Sequence, residues 1–273
     1  MAIRDAATVM LVRDGSSGLE VFMLRRSPKS NFVPGQFVFP GGAVDTADRE
    51  DPGLGSVCFG LDDRAASTLL DVGSGGLAYW VAAVRECFEE AGVLLARGEA
   101  GDVSFADDAI HARFEGLRQK VYDGELRLAE MCVVEGLRLE LDDLRYVSHW
   151  ITPVGPPRRF DTRFFLARAP ENQRPFHDGG ETVASTWIRP ADAMQLHSDG
   201  KFEMILPTIA NLEPLTEHDT VDSAIGWADN LGAIPRILPA IVVNEGGPPS
   251  VLMPWDEGYS AALIEPPAEG LTI

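Results

Sequence analysis

The N-terminal part of the chain alternates apolar and polar residues in short runs, a pattern that predicts strands. Residues 6–13 and 19–25 form two such runs, and the Asp-Gly-Ser-Ser-Gly stretch at residues 14–18 favours a turn between them. A third apolar run, residues 37–39, stops at a Pro-Gly-Gly stretch, residues 40–42. This part of the chain therefore predicts a hairpin and then a short strand that ends in a glycine turn.

Residues 77–91 have the periodicity of a helix with one buried face, because their apolar side chains recur three and four residues apart. Between the glycine turn and this helix, residues 45–76 are rich in Asp, Gly and Ser, and a short helix is predicted at residues 62–71. The same reasoning predicts helices at 107–122, 125–134, from Pro190 onward, 206–215 and 221–230, and strands at 144–151, 159–169, 182–188, 237–243 and 250–253. This alternation indicates a mixed α/β fold.

The charge and the cysteines narrow the classes of function. A formal net charge of −19 argues against nucleic acid as a partner, since a nucleic-acid-binding protein normally presents a basic face, and it disfavours an anionic membrane surface. No stretch approaches the ~20 apolar residues of a membrane span, and the N-terminus does not resemble a signal peptide. Three scattered cysteines predict reduced thiols and a cytoplasmic protein.

Three carboxylates lie close together near the end of the helix predicted at 77–91. Glu86, Glu89 and Glu90 share one helix face, where like charges repel, and they crowd the last turn, where the helix dipole favours cations. Gly92 is placed to end the helix. A hard divalent cation such as Mg²⁺, which binds oxygen ligands and substrate phosphates, would compensate this arrangement. The alternative is an ordinary solvated acidic helix end.

The segment Arg-Glu-Cys-Phe-Glu-Glu-Ala-Gly-Val, residues 85–93, together with the preceding Gly42, resembles the Nudix box, G-x5-E-x7-R-E-U-x-E-E-x-G-U, in which U is bulky and apolar. The first half of the box is interrupted, because 42 residues separate Gly42 from Arg85 where the pattern has 13. Counting forward from Gly42 places Asp48 at the first acid, whereas counting back from Arg85 places Leu77 there. The counterpart of that acid therefore stays open between Asp48 and none.

The Nudix resemblance implies an α/β/α sandwich with a mixed sheet, a helical insertion and a C-terminal extension. It implies a single domain over residues 1–273, with the box at 39–94, the insertion at about 45–76 and the extension at about 206–273. We expect the insertion to serve recognition and not core packing, and to border the substrate cleft or a subunit contact.

The resemblance also implies a set of site residues. Glu86, Glu89 and Glu90 would hold Mg²⁺ or Mn²⁺, and Arg85 would orient them through ion pairs. Whether Glu86 or Glu89 removes the proton from water stays open. Glu181 is a candidate outer ligand or base, with a simple turn carboxylate as the alternative. Two further candidates, assigned to substrate binding, are the turn glycines Gly41 and Gly42.

Residues 22–42 resemble in part a second signature, which precedes the box in coenzyme A diphosphatases. Arg26, Ser27, Gly35 and the Phe-Pro-Gly-Gly of residues 39–42 match it, while Asn31 stands where that signature has Arg. Three basic residues, Arg25, Arg26 and Lys29, form a cluster suited to phosphate oxygens, since guanidinium groups bind them in pairs. An exposed basic loop is the alternative.

Residues 149–153 and 158–167 resemble the branch of acyl-coenzyme A diphosphatases that also carries an insertion inside the box. They add Arg158, Arg159 and Arg163 as candidate phosphate contacts. The function that follows is metal-dependent hydrolysis of the diphosphate linkage of coenzyme A or acyl-coenzyme A, which gives 3′,5′-ADP and (acyl-)phosphopantetheine. The alternatives are an ADP-ribose or dinucleotide pyrophosphatase and a non-catalytic Nudix sensor that binds a nucleotide. The expected partner is a small nucleoside diphosphate derivative; a homodimer stays open.

Overall fold

The computed structural model describes residues 3–30, 33–99, 101–173, 175, 182–244 and 246–263. Its strands are β1 (Arg4–Gly15), β2 (Gly18–Arg26), β3 (Phe37–Val38), β4 (Gly41–Ala43), β5 (Cys58–Phe59), β6 (Arg97–Gly98), β7 (Gly101–Asp102), β8 (Leu139–Glu140), β9 (Arg145–Ile151), β10 (Phe160–Arg168), β11 (Thr182–Ile188), β12 (Arg236–Ile237), β13 (Ala240–Val242) and β14 (Ser250–Leu252). Its α-helices are α1 (Thr46–Glu50), α2 (Leu54–Val57), α3 (Asp63–Leu69), α4 (Leu77–Ala91), α5 (Asp108–Tyr122), α6 (Leu128–Glu135), α7 (Pro190–Ser198), α8 (Leu206–Leu212), α9 (Val221–Asp229) and α10 (Tyr259–Ala262). Two 3₁₀ turns cover Leu141–Asp143 and Pro214–Glu217.

A mixed sheet forms the centre of the molecule, with the strand order β11-β2-β1-β10-β9-β12. β1 and β10 run parallel over their whole shared length, while β2 is antiparallel to β1 and β9 is antiparallel to β10. Strands β3 and β4 enter between β1 and β2 at one end of the sheet, where β3 pairs with β2 and β4 pairs with β1. The turn predicted at residues 40–42 is therefore wrong in its conformation, because Gly41 and Gly42 begin strand β4 and pair with β1. This glycine segment lies inside the sheet, between its two first strands.

The two faces of the sheet carry separate apolar layers, as the alternation along β1 requires. Val9 and Leu11 face the layer that contains α4, whereas Met10 and Val12 face the layer that contains α7, α8 and α9. This is the expected α/β/α sandwich, so the predicted fold class is confirmed. Within the described ranges, no helix combines the length and the apolarity that crossing a membrane requires.

Helix α4 packs across β1 and β4 and is buried over almost its whole circumference. Trp80 fixes it to the sheet, since its ring lies 4.7 Å from that of Phe165 and its Nε1 donates to the carbonyl oxygen of Leu144 at 3.0 Å. The helix ends at Gly92, which adopts a left-handed φ of 65° and donates its N–H to the carbonyl oxygen of Phe88. The carboxylates in its last two turns are therefore held on a rigid element.

The insertion, residues 45–76, contributes to the core, so the expectation that it would serve recognition and not core packing is wrong for much of its length. Leu54 and Val57 on α2, and Ala66 and Leu70 on and after α3, join the apolar layer around α4. The Asp and Gly residues that suggested a loop form the caps and turns between these short helices. One of them, Asp63, accepts hydrogen bonds from the backbone N–H groups at the start of α4.

Prolines account for two boundaries that differ from the sequence predictions. The strand predicted at 237–243 is split, because Pro239 has no N–H to donate and separates β12, which joins the main sheet, from β13, which pairs with β14. The helix predicted at 206–215 ends at Leu212, because Pro214 has no N–H to donate to the carbonyl oxygen of Ala210, and a 3₁₀ turn over Pro214–Glu217 follows. Both changes leave the C-terminal segment packed on the sheet, where Leu212, together with Ala224 of α9, belongs to the second apolar layer.

Candidate active site

The glycine turn and the end of α4 touch directly. The backbone N–H of Gly41 donates to Oε2 of Glu90 at 2.9 Å. A Cβ placed on Gly42 would lie 2.5 Å from Oε1 of Glu86, and one on Gly41 would lie 2.6 Å from the carbonyl oxygen of Ala7. At Gly41 the obstacle is backbone, so no side chain fits there; at Gly42 a side chain would displace the carboxylate of Glu86.

Arg85 joins the acidic residues into one network. Its Nε and Nη2 donate to the two carboxylate oxygens of Asp48, each at 2.9 Å, and its Nη2 also reaches the carbonyl oxygen of Ala43 at 2.8 Å. Its Nη1 lies 2.9 Å from Glu86 and 3.1 Å from Glu89. The ion pairs expected between Arg85 and the glutamates are therefore present, and Asp48 is added to them.

Asp48 occupies the position that the sequence left open. It is the sixth residue after Gly42, it is 3% exposed, and both its oxygens are taken by Arg85. Helix α1 carries it back to the glycine turn before the chain enters the rest of the insertion, so the additional residues follow this acid. Leu77, the alternative counterpart, lies at the start of α4.

The network carries an excess of negative charge. The carboxylates of Asp48, Glu86 and Glu89 bond to the guanidinium of Arg85, and that of Asp45 lies 3.7 Å from its Nη2. With Glu90, which bonds to Gly41, five carboxylates and one guanidinium leave a formal charge of −4. Burial raises the pKa of Glu86 to about 7 even though the charge of Arg85 opposes this shift, and burial also raises the pKa of Glu89. For Arg85, burial is outweighed by its bonds to Asp48 and by the charges of the glutamates, so its pKa lies above the ordinary value.

The donor chemistry of this site fits a hard divalent cation, because carboxylate oxygens are the ligands that Mg²⁺ and Mn²⁺ prefer and the excess charge is of the sign that a cation offsets. In this structure the carboxylates of Glu86 and Glu89 both point to the guanidinium of Arg85, which bridges them. As they stand, no three acidic, histidine or cysteine side chains of the described residues converge on a point where an ion would bind. To bind one ion together, Glu86 and Glu89 would have to rotate away from these positions.

Five of the predicted basic residues lie at one end of the main sheet, on the two sides of β1. On one side, Arg25 and Arg26 end β2, with Arg25 Nε donating to the carbonyl oxygen of Gly35 and Arg26 bonded to Ser30 Oγ; Lys29 follows in the turn. On the other side, Arg158 and Arg159 precede β10, and Arg159 Nε donates to the carbonyl oxygens of Thr152 and Pro153. Both groups lie at the end of the sheet where β1 begins, because β2 runs antiparallel and β10 runs parallel to β1. Glu181 lies outside the described residues, as does Asn31.

Arg163 is placed differently from these five, and the structure does not favour it as a phosphate contact. It is 4% exposed, its guanidinium is paired with Asp161, and it lies 4.6 Å above the ring of Tyr79. Asp161 is held in turn by Nε2 of His149 at 2.6 Å. The Arg163 side chain therefore belongs to a buried polar network between the sheet and the start of α4.

Removing the charge of Asp161 tests this internal role. Burial alone would raise its pKa, but the hydrogen bond from His149 and the charge of Arg163 outweigh burial and hold the pKa below its ordinary value. The ionised carboxylate therefore stabilises the fold above the ordinary Asp pKa, and this stabilisation is lost as the pH falls through the lower folded-state pKa. We expect Asp161→Asn to lower the free energy of unfolding at pH 7 by about 3 kcal/mol, because Arg163 is left buried without its counter-charge.

Urea denaturation at pH 7 measures this effect. Asp222→Asn is the matched control, since Asp222 pairs with Arg168 at the surface with its side chain 88% exposed. We expect that control to stay within about 1 kcal/mol of the wild type. Equal effects of the two substitutions would show that the Asp161–Arg163 pair does not stabilise the fold.

Comparison with known proteins identifies the family. The family model described as the NUDT19 Nudix domain matches residues 57–215, more than half of the chain. This chain belongs to the NUDT19-type Nudix hydrolases. Nudix hydrolases as a family require divalent metal ions, in agreement with the donor chemistry of the site.

Similarity to individual relatives covers more of this Nudix hydrolase than residues 57–215. The human protein named acyl-coenzyme A diphosphatase NUDT19 is 30% identical over 89% of this chain and 73% of its own length. The Xenopus laevis protein of the same name is 28% identical over 90% of this chain and 73% of its own length. A NUDIX hydrolase crystal structure from Alicyclobacillus acidocaldarius superimposes with a TM-score of 0.65 and 29% identity, covering 86% of this chain and 99% of the other.

Proposed function

We propose that this Nudix hydrolase cleaves the diphosphate linkage of coenzyme A or acyl-coenzyme A, giving 3′,5′-ADP and (acyl-)phosphopantetheine. The observation that carries the proposal is the buried acidic network at the glycine turn, in a sheet that has basic residues at the end where β1 begins. The human and Xenopus relatives named acyl-coenzyme A diphosphatase support the choice of substrate class. We propose the whole chain, residues 1–273, as one catalytic domain.

The residues of the acidic network have separate roles in this proposal. Glu86, Glu89 and Glu90 would hold Mg²⁺ or Mn²⁺, which supplies charge neutralisation at the diphosphate and a more acidic water. A carboxylate oxygen of Glu86 or Glu89 accepts the proton of the attacking water. Arg85 keeps both glutamates at the turn through the ion pairs described above, and Asp48 fixes the guanidinium from the other side.

Gly41 and Gly42 let the diphosphate approach the acidic network, since neither carries a side chain over the turn. Arg25, Arg26 and Lys29 on one side, and Arg158 and Arg159 on the other, provide charge for the remaining phosphate groups. Arginine suits this role because its planar guanidinium can bind two phosphate oxygens at once. The nucleotide end of the substrate therefore lies against one basic side of the turn, and its diphosphate at the acidic network.

A comparison of four substrates tests the proposal. Coenzyme A, acyl-coenzyme A, ADP-ribose and NADH are each incubated with the protein and with Mg²⁺ or Mn²⁺, and kcat/KM is measured for each. We expect coenzyme A or its acyl form to have the highest value. A higher value for ADP-ribose or NADH would replace the substrate class, and no turnover of any of the four would support a nucleotide-binding sensor in place of an enzyme.

The 3′-phosphate of coenzyme A gives a finer test, because ADP-ribose and NADH lack this group. A charge-assisted hydrogen bond is worth about 1.5–3 kcal/mol, so we expect dephospho-coenzyme A to have a kcat/KM roughly tenfold to a hundredfold lower than that of coenzyme A. Arg26→Ala should narrow this gap if Arg26 binds the phosphate. Arg13→Ala is the control, since Arg13 lies near the opposite end of β1 and pairs with Glu20. Equal efficiency on both substrates would leave a diphosphatase but remove the argument for coenzyme A.

A further inference from the structure

Helix α5 buries an arginine in the middle of its apolar face. The buried residues of α5 are Phe114, Arg118 and Val121, which lie four and three residues apart, and Arg118 is 5% exposed. A charged side chain at such a position costs desolvation energy unless strong bonds offset it. A sequence reading that follows only the apolar residues of α5 misses this position.

The bonds of Arg118 lead to the end of α4 that carries the acidic network. Its Nη1 donates to the backbone carbonyl oxygen of Glu89 at 2.6 Å, and its Nε donates to the carboxylate of Glu115 at 3.2 Å. The side chain also lies beside Phe88 and Gly92, where α4 ends. Arg118 therefore joins α5 to the residue that presents one of the carboxylates.

The carbonyl oxygen of Glu89 is one of the last four of α4, and these oxygens lack partners within a helix. They also form the negative end of the helix dipole, in the same turns in which Glu86, Glu89 and Glu90 crowd their charges. A cation at this place offsets the negative end of the dipole. The bond to Arg118 fixes the backbone of Glu89 and thereby the direction in which its side chain leaves the helix.

We propose that Arg118 is a positioning residue for metal binding, which acts by holding the Glu89 backbone and by compensating the negative end of α4. This inference rests on the proposed metal site formed by Glu86, Glu89 and Glu90. Removal of a group that orients a metal ligand, without itself binding the metal, typically weakens metal binding by about tenfold to a hundredfold. Arg118 therefore belongs to the active site, although it lies outside the Nudix box.

Mn²⁺ binding to the folded protein tests the proposal without a need for turnover. The dissociation constant is measured by titration for the wild type and for Arg118→Met, which keeps the length of the side chain but removes its charge and donors. We expect Mn²⁺ binding about tenfold to a hundredfold weaker in this variant, with Arg118→Lys intermediate because it restores the charge without the forked geometry.

Two controls separate this role from a purely structural one. Arg113→Met removes the same charge from the same helix, but Arg113 is exposed and pairs with Glu135. Phe114→Leu disturbs the same buried face of α5 without touching the bond to Glu89. We expect both controls to keep the wild-type Mn²⁺ affinity, although the second lowers the free energy of unfolding.

The outcomes are distinguishable. Wild-type Mn²⁺ affinity in folded Arg118→Met would overturn the positioning role and leave the metal site intact. Failure of the wild-type protein itself to bind Mn²⁺ would overturn the metal site and this inference with it. If Arg118→Met does not fold, Arg118→Gln takes its place with the same expected weakening, since the charge is again absent, and wild-type affinity in that variant would overturn the proposal.

Discussion

Replacing Glu89 by Gln is expected to lower kcat roughly a thousandfold, because several kcal/mol of metal-dependent charge stabilisation is lost and each 1.36 kcal/mol corresponds to a factor of ten. Glu89 lies on the same buried helix face as Glu86 and contacts Arg85. The free energy of unfolding without metal should stay unchanged or rise, since burial raises the pKa of Glu89 and its charge is repelled by neighbouring carboxylates. Loss of activity together with preserved stability is the signature of a carboxylate kept for function.

Steady-state kinetics at saturating Mg²⁺ and urea denaturation in EDTA measure the two quantities. Glu50→Gln is the matched control, because Glu50 is an exposed carboxylate on α1, two residues after Asp48. We expect that control to keep wild-type kcat. A Glu89→Gln variant with near-wild-type kcat would remove Glu89 from the metal site.

Arg85→Met is expected to have the largest effect on stability. Its removal leaves the carboxylate of Asp48 buried without its two-bond partner and leaves Glu86 and Glu89 without the cation between them. Breaking a buried ion pair by removing one partner costs about 3–5 kcal/mol. We therefore expect a loss of that size in the free energy of unfolding, measured by urea denaturation with EDTA present.

The control for this substitution is Arg13→Met, which breaks an ion pair with Glu20 at the surface. Its effect should stay within about 1 kcal/mol. If Arg85→Met were no more destabilising than this control, the network around Arg85 would not hold the glycine turn and α4 together.

The sheet and the catalytic helix were predictable because their patterns are local. The alternation in β1 and β2 and the helical spacing in α4 are each readable within one segment. The apolar run at Phe37–Val38 ends before Pro40, but Gly41 and Gly42 begin β4 and do not form the predicted turn. Strand order was not readable in this way. The entry of β3 and β4 between β1 and β2 depends on pairing between distant segments.

The packing of the insertion and the roles of single arginines depend on three-dimensional contacts, which the sequence does not show. The sequence prediction was wrong for the packing of the insertion and left the role of Asp48 open. Asp48 could be recognised only when the structure showed that α1 returns it to Arg85 before the chain leaves the site. Arg163 and Arg159 are both basic residues near the start of β10, yet one is buried against Asp161 and the other faces the loop before the strand. Residue type alone does not distinguish a phosphate contact from an internal ion pair.

The most direct test of the account is identification of the products that the protein forms from coenzyme A. Coenzyme A is incubated with the wild type and Mg²⁺ or Mn²⁺, with a parallel sample in EDTA, and the products are identified by mass spectrometry. We expect 3′,5′-ADP and phosphopantetheine in equal amounts with metal, and intact coenzyme A in EDTA. Intact coenzyme A with both metals, or release of inorganic phosphate in place of 3′,5′-ADP, would contradict it.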